Sequence, residues 1–254
     1  GIGAAIAAKY ASIFTHKAVI TVLGRSMNKP SHTKTPGTLL ETVERVESFG
    51  AKGVAVKVDM QNYESVSSSL KTAIDGMGGL DILVNNASAL YASQTLSKKQ
   101  MDLLHNVNAR ATLLAIELCK PALQKSRRGS IVTISPPLRL GRLDWITRHP
   151  AYTISKYSMT LATLGAASET VRANCLWPRH TVATSATKRL EEQGFEGAYT
   201  RGRSVTDVAR AVCELSLLNL NAQTVYDDEV VDLATTEAPL DMFARECTKQ
   251  LRRH

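Results

Sequence analysis

Tyr152 and Lys156 stand four residues apart in "AYTISKYSM", a spacing that sets both side chains on one face of a helix. A phenol with a reference pKa of about 10 is a poor base at neutral pH, and an ammonium one turn away favours the phenolate and should lower that value. The pair is therefore a candidate general acid/base. Ser135 closes the apolar run "SIVTIS", and a hydroxyl at the carboxyl end of a strand can donate to a substrate carbonyl. Asn108, in "NVNA", falls inside a helical stretch, where asparagine is mildly unfavourable and calls for either a packing reason or a function. Singly, each of these residues has an ordinary structural reading, and the Tyr-Lys spacing alone arises readily by chance. In this order along one chain they form a proton-transfer set.

The elements that must position them are legible as alternating patterns. Apolar runs with strand character fall at 18–24, 54–60, 80–86, 130–135, 171–177 and 223–233, and continuous runs of this kind suit strands buried on both faces of a parallel sheet. Helical periodicity occupies 3–14, 38–49, 61–75, 98–119, 152–168 and 206–219, mostly with a stripe at i, i+3 and i+4. Strand and helix alternate throughout, which predicts an α/β doubly wound parallel sheet of Rossmann type, as a single domain over 1–254. Residues 28–38 and the stretch "PPLRLGRLDWITRHP" read as loops, and loops at the carboxyl ends of strands are where such sheets bind ligands.

The totals narrow the function classes. The chain carries 31 Lys plus Arg against 23 Asp plus Glu, a formal charge of +8, which favours anionic ligands such as nucleotides. The basic residues are spread along the chain and only 5% of residues are aromatic, so nucleic acid is not expected as a partner. Cys119, Cys175, Cys213 and Cys247 are too scattered for metal knuckles and too few for a disulfide scaffold, so no metal site is expected. With no signal-peptide pattern and no apolar run long enough to span a bilayer, no membrane span is expected and a cytoplasmic protein is. The terminal "QLRRH" is not an SKL-type address, and mitochondrion and peroxisome are left open.

Assembled in order, these pieces resemble the short-chain dehydrogenase/reductase family. Gly1, Ile2 and Gly3 match the tail of its TGxxxGIG fingerprint; "VD" at 58–59, "NNAS" for its NNAG, "NVN", Ser135 and "YTISK" for its YxxxK follow along essentially the whole chain. A closer likeness, through "ISPPL", "AYTISKY" and "LWP", is to its hydroxysteroid dehydrogenase-like and citronellol dehydrogenase-like branch. The resemblance implies hydride transfer between a nicotinamide cofactor and a small-molecule alcohol or carbonyl compound. It makes Tyr152 the general acid/base and Lys156 the group that depresses its pKa and bonds the nicotinamide ribose. Ser135 would orient the carbonyl, and Asn108 would hold a water connecting Lys156 to solvent. It also implies a homodimer or homotetramer, built through two long helices that include the one bearing Tyr152.

On the cofactor side, the resemblance gives Gly1, Ile2 and Gly3 to the pyrophosphate turn, and Asp59, with Met60 beside it, to the adenine. Asn86, Ala87 and Ser88 fall to the adenosine, and Pro178, Val182 and Thr184 to the segment that meets the carboxamide. An acidic residue ending the second strand of a dinucleotide fold takes a ribose 2′-hydroxyl, whereas an arginine accommodates a 2′-phosphate. Here the strand runs into "LGRSMNK", with Arg25 and Ser26 and no carboxylate, so NADP(H) is expected, with NAD(H) the alternative. Leu138, Leu140, Trp145, Trp177 and a substrate loop over 179–205 would suit a bulky apolar substrate. Rival readings are a nucleotide-binding regulatory or scaffold protein that keeps the fold without turnover, and a basic membrane-surface or nucleic-acid binder.

Three departures carry expectations of their own. Ser88 replaces the glycine of NNAG, and Arg179 stands where the family pattern has glycine after proline, which would be costly if that position needed a positive φ. "SETVRAN" passes from the long helix to the next strand with no Gly or Pro, short of the expected turn by about four or five residues, so unseen residues are expected there. Lastly, Gly1-Ile2-Gly3 follows no strand, although in a doubly wound sheet the strand before that turn is central, so the first strand is expected ahead of Gly1.

Overall fold

The structure, a computed structural model, describes residues 1–30, 36–139, 141 and 143–237, the side chains of 144, 145 and 233–237 excepted. Helix α1 (Ile2–Phe14) leads through a short 3-10 turn to β1 (Val19–Gly24), followed by α2 (Leu39–Glu47), β2 (Lys52–Lys57), α3 (Tyr63–Met77) and β3 (Ile82–Asn85). Helix α4 (Lys98–Leu104) runs through a π-helical segment, His105–Arg110, into α5 (Ala111–Leu123). Then come β4 (Ser130–Ile134), α6 (Leu143–Arg148), α7 (Pro150–Ala166), β5 (Arg172–Trp177), α8 (Ser185–Glu192), α9 (Val205–Leu217), β6 (Thr224–Tyr226) and α10 (Asp227–Glu237).

Local chemistry sets several of these boundaries. At α2 the Thr38 hydroxyl accepts the Glu41 N–H at 3.1 Å while the Glu41 carboxylate accepts the Thr38 N–H at 2.9 Å, a reciprocal cap. Asn62 caps α3, and Gly78, at φ 71°, ends it in a conformation that favours glycine. Pro150 opens α7 with its φ already helical.

Every strand pair is parallel, and the strands form two blocks. β1 pairs with β2 from Val19↔Lys52 to Gly24↔Lys57. β3, β4, β5 and β6 follow in order, through Ile82↔Ser130, Ser130↔Arg172 and Cys175↔Thr224. Ile82 and Val84 face a core shared with α1 and α9, whereas Leu83 faces the one beneath α3 and α5, as strand alternation requires. Between β1 and β3 lies a cavity of about 1840 Å³, lined by Ile20, Val22, Ile82 and Val84 and by helical residues that include Tyr10 and Leu70.

Two expectations are corrected. The run at 223–233 is not one strand: β6 ends at Tyr226 and α10 begins at Asp227, where Asp227, Asp228 and Glu229 fill a first turn that favours negative charge. The connection before β5 needs no further residues, because α7 stops at Ala166 and β5 starts at Arg172. Residues 167–171 close the turn by themselves: the Ser168 N–H donates to the Val171 carbonyl at 3.0 Å and the Val171 N–H to the Ser168 hydroxyl at 3.1 Å. The helix ends without glycine, the Ala167 N–H donating to the Leu164 carbonyl at 3.2 Å.

Candidate functional site

The proton-transfer residues converge where β4 meets α7. Ser135 follows the last residue of β4 and is fully buried; its N–H donates to the Leu176 carbonyl at 3.1 Å, locking it onto β5. Its hydroxyl lies beside the Cys175 thiol, a weak partner, and makes no full hydrogen bond. Lys156 is 2% exposed. Its ammonium donates to the Ile134 carbonyl at 2.6 Å and to Met159 Sδ at 3.2 Å, and stands 5.4 Å from the centre of the Trp177 ring. Burial lowers its pKa to about 7, against a smaller upward pull from Cys175.

Tyr152 departs from expectation. The phenol titrates above its ordinary value because it is removed from solvent, and only a hydrogen bond with the Ser88 hydroxyl pulls the other way. Lys156 does not depress it here, since the ammonium is spent on the end of β4 and desolvation prevails.

Asn108 is fully buried in the π-helical segment. Its Oδ1 accepts the Ala89 N–H at 2.7 Å, and its Nδ2 donates to the Ala89 carbonyl at 3.0 Å and to Ser155 Oγ at 2.9 Å. Ser155 Oγ in turn donates to the Tyr152 carbonyl at 2.8 Å. Both amide hydrogens are used by the protein, and the side chain ties the loop after β3 to the turn of α7 that carries Tyr152. This is the packing reason for an asparagine inside a helix.

The cofactor-side residues lie around the carboxyl ends of β1, β2 and β3. Gly1 begins α1 with no side-chain cap and no acidic residue in the first turn, and a Cβ there would meet nothing within 4 Å. The first-turn amides are thus approachable by an anion. At Gly3 a Cβ would come within 2.8 Å of Asn86 Nδ2, so glycine admits the Asn86 amide. Arg25 is exposed just past β1, and the Ser26 carbonyl accepts the Leu39 N–H at 2.8 Å. Asp59 is exposed past β2, its carboxylate holding the Gln61 N–H at 3.0 Å, and Met60 packs into the core beneath α3. Ala87 is half-buried and Ser88 exposed.

Pro178 is half-buried beyond β5. Val182 is 6% exposed and belongs to the core shared by α1 and α9, and the Thr184 hydroxyl caps α8 by accepting the Thr187 N–H at 3.3 Å. These two side chains are committed to packing and capping.

Arg179 does what sequence reasoning missed. It has no positive φ; its N–H donates to the Asp227 carboxylate at 2.9 Å, its guanidinium pairs with Asp228 at 2.5 Å and Glu229 at 2.8 Å, and it stacks 4.1 Å from the Tyr226 ring centre. The substrate loop is thereby clasped to the start of α10. The "YDDE" run at 226–229 was the available signal. Leu138 is exposed and Trp177 half-buried, while Leu140 and the Trp145 side chain lie outside the described residues.

A parallel sheet covered by helices on both faces, with unspent polar groups at its carboxyl edge, defines a doubly wound fold of dinucleotide-binding type. Within that class the chain belongs to the short chain dehydrogenase family, whose model matches residues 1–194. It is 38% identical over 217 residues to hydroxysteroid dehydrogenase-like protein 2 of Bos taurus, covering 84% of this chain and 50% of that protein. The chain thus spans about half the length of the curated relatives it matches. Among solved structures, one described as a dehydrogenase from Xanthomonas campestris is 34% identical with a TM-score of 0.83, covering 92% of this chain and 86% of that one. A short chain dehydrogenase from Mycobacterium thermoresistibile is 29% identical with a TM-score of 0.80, covering 94% and 84%.

Proposed function

We propose that the protein is an NAD(P)-dependent oxidoreductase acting on the alcohol or carbonyl group of a small apolar substrate, with NADP(H) as its preferred cofactor. The observation that carries this reading is the Lys156 ammonium of α7 on the Ile134 carbonyl, next to the buried Ser135 at the end of β4, with Tyr152 one turn earlier on the same helix. The residues present fit a nicotinamide dinucleotide: the uncapped start of α1 at Gly1 suits a pyrophosphate, and Gly3 keeps Asn86 against that turn. Arg25 suits a 2′-phosphate. When bound, such a cofactor supplies or accepts the hydride.

The chain's own groups handle the proton and the oxygen. With its pKa raised, Tyr152 is a protonated phenol at neutral pH and serves as proton donor to the oxygen of a carbonyl undergoing reduction. Ser135 Oγ, buried and without a full hydrogen bond, is available to donate to that same oxygen. In the oxidative direction Tyr152 must first lose its proton. Leu138, Trp177 and the segment after β5 offer apolar surface for the rest of the substrate. The exposed Ile154 (67%) and Leu161 (59%) of α7 suit burial against a second copy, and light scattering should find a homodimer or homotetramer.

The test is a scan of carbonyl compounds and alcohols with NADPH and NADH. Turnover that persists in Tyr152→Phe would sink the mechanism. One observation favours a second reading, that of a nucleotide-binding regulatory protein: the Lys156 ammonium is engaged by Ile134 and Met159. NADPH binding, seen as a change in its fluorescence, with no turnover of any compound would select it.

A further inference from the structure

The chain leaves β5 at Trp177 and enters α9 at Val205, and the two ends of the stretch between are drawn together. The Ala183 N–H donates to the Arg203 carbonyl at 2.9 Å, and the Arg203 N–H to the Thr181 carbonyl at 2.7 Å. A Cβ at Gly202 would come within 2.7 Å of the Ala183 nitrogen, so glycine permits that approach. Inside the stretch, Thr184 caps α8, and the Glu191 carboxylate accepts the Gly197 N–H at 2.9 Å, the Thr200 N–H at 3.2 Å and the Thr200 hydroxyl at 2.7 Å. The segment is braced from within, and its placement depends on what holds its base.

One carboxylate holds both ends of that base. Asp227, at the start of α10, is 1% exposed. Its Oδ1 accepts the Arg179 N–H at 2.9 Å, and its Oδ2 lies 2.8 Å from Arg203 Nη1. The ion pair with Arg203 is little screened, because the carboxylate is out of solvent and the arginine side chain only 28% exposed. Asp228 and Glu229, which hold the Arg179 guanidinium, are more open to water and contribute less. The segment also spans the neighbourhood of the proton-transfer residues. It departs from Trp177, whose ring centre stands 5.4 Å from Lys156 Nζ. Its Phe195 ring lies 6.4 Å from that of His149, the residue before α7 and three positions ahead of Tyr152.

We propose that Asp227 is a positioning residue for the substrate: by gripping Arg179 and Arg203 it keeps the 179–203 segment preformed as a wall of the substrate site beside α7. This inference rests on the oxidoreductase reading. Asp227 does no chemistry itself. Without its grip the segment samples open arrangements, and the apparent affinity for substrate falls by the fraction of chains still closed. Saturating substrate restores the closed arrangement, so KM rises while kcat changes little.

The experiment compares Asp227→Asn, Arg203→Met and Arg203→Lys in the full chain, using NADPH and the best carbonyl compound from the scan. Asp227→Asn keeps an acceptor for the Arg179 N–H and removes the charge facing Arg203. It and Arg203→Met should each raise KM for the carbonyl compound by about tenfold, the effect of a closed fraction of about one in ten, with kcat near the wild-type value. Arg203→Lys keeps the charge and should stay near the wild type in both. The double variant should be no worse than Asp227→Asn alone, because both substitutions break the same pair. Arg203 is part-exposed, so Arg203→Met tests the pair even where loss of the buried carboxylate impairs folding. A wild-type KM in Asp227→Asn and Arg203→Met, a fall in kcat with KM intact, or KM increases that multiply in the double variant would overturn the proposal.

A second readout needs no turnover. Trypsin should cut after Lys188 or Arg201, both exposed within the segment, about tenfold faster in Asp227→Asn and Arg203→Met than in the wild type or Arg203→Lys. Cleavage elsewhere, identified by fragment mass, should keep its wild-type rate. Unchanged cleavage within the segment, or an equal acceleration at every site, overturns the grip. Absence of turnover in the wild type, with faster cleavage confined to the segment in the variants, would instead count against the oxidoreductase reading alone.

Discussion

The centre of the four-stranded block is built to a different standard from the two-stranded one. All five residues of β4 are buried, and so are the four central residues of β5, whereas no residue of β1 or β2 is, and the flanking β3 and β6 are half-buried apart from Asn85. The groups proposed to move protons sit on the packed block, at the end of β4 and on the α7 helix laid against it. The groups proposed to read the cofactor, Arg25 and Asp59, stand exposed past the partly buried strands. The difference teaches that proton chemistry depends on fixed distances, which close packing provides, while cofactor choice is left to surface side chains. The largest effect that separates the blocks should therefore be catalytic. Tyr152→Phe should lower kcat by about 10²- to 10⁴-fold with NADPH affinity intact, as steady-state rates and a fluorescence titration would record. A weakened affinity of similar size would mean that the two blocks are not separable.

Stability should divide along the same line. Leu176 is fully buried in β5, and Leu176→Ala should cost about 2–5 kcal/mol, the transfer of the side chain plus the cavity left behind. Ile20, half-buried in β1 beside the cavity between the blocks, should cost only about 1–2 kcal/mol as Ile20→Ala, for less apolar surface leaves water there. Urea unfolding of the two variants checks this. Equal losses would show that β1 is packed as tightly as β5.

How far the sequence anticipated this contrast depends on the range of the contacts involved. The runs at 130–135 and 171–177 are apolar throughout because both faces are covered, and the structure places β4 and β5 within them. Tyr152 and Lys156 share a helix because their spacing is local. The Lys156 partner, by contrast, is a backbone carbonyl 22 positions away, and the Arg179 clasp spans 48 to 50 positions. Nothing local announces either. The 223–233 run misled for the opposite reason: its apolar residues continue smoothly while the acids at 227–229 change the structure from strand to helix.

A pH titration of stability probes the packed block from within. The Lys156 pKa is lowered from 10.5 to about 7 by burial. Below about pH 7 the amine is charged in both folded and unfolded chains, and the cost of burying that charge is present in full. Between about pH 7 and 10.5 the unfolded chain binds the extra proton, so stability rises with pH across that window, by on the order of 5 kcal/mol. Cys119, Cys175 and Cys213, pushed upward by burial, act in the opposite direction above about pH 9. The measurement is therefore the difference between the wild type and Lys156→Met, whose contribution in this window should vanish. A difference that does not change with pH would show that the ammonium is solvated.

The smallest effect belongs to the exposed block. Arg25 is solvated, and a charged contact made at the surface is weakened by salt and by the mobility of a long side chain. Arg25→Ala should therefore reduce the ratio of kcat/KM for NADPH over NADH by only about tenfold, the equivalent of about 1.4 kcal/mol, and the loss should shrink as ionic strength rises. Both cofactors should keep the wild-type pH profile, because Arg25 is not one of the groups proposed to move the proton. An unchanged ratio would remove Arg25 from cofactor choice and with it the proposed preference for NADP(H). A loss that reached both cofactors equally would show instead that the arginine holds the end of β1 in place, and that the two blocks are more closely coupled than their burial implies.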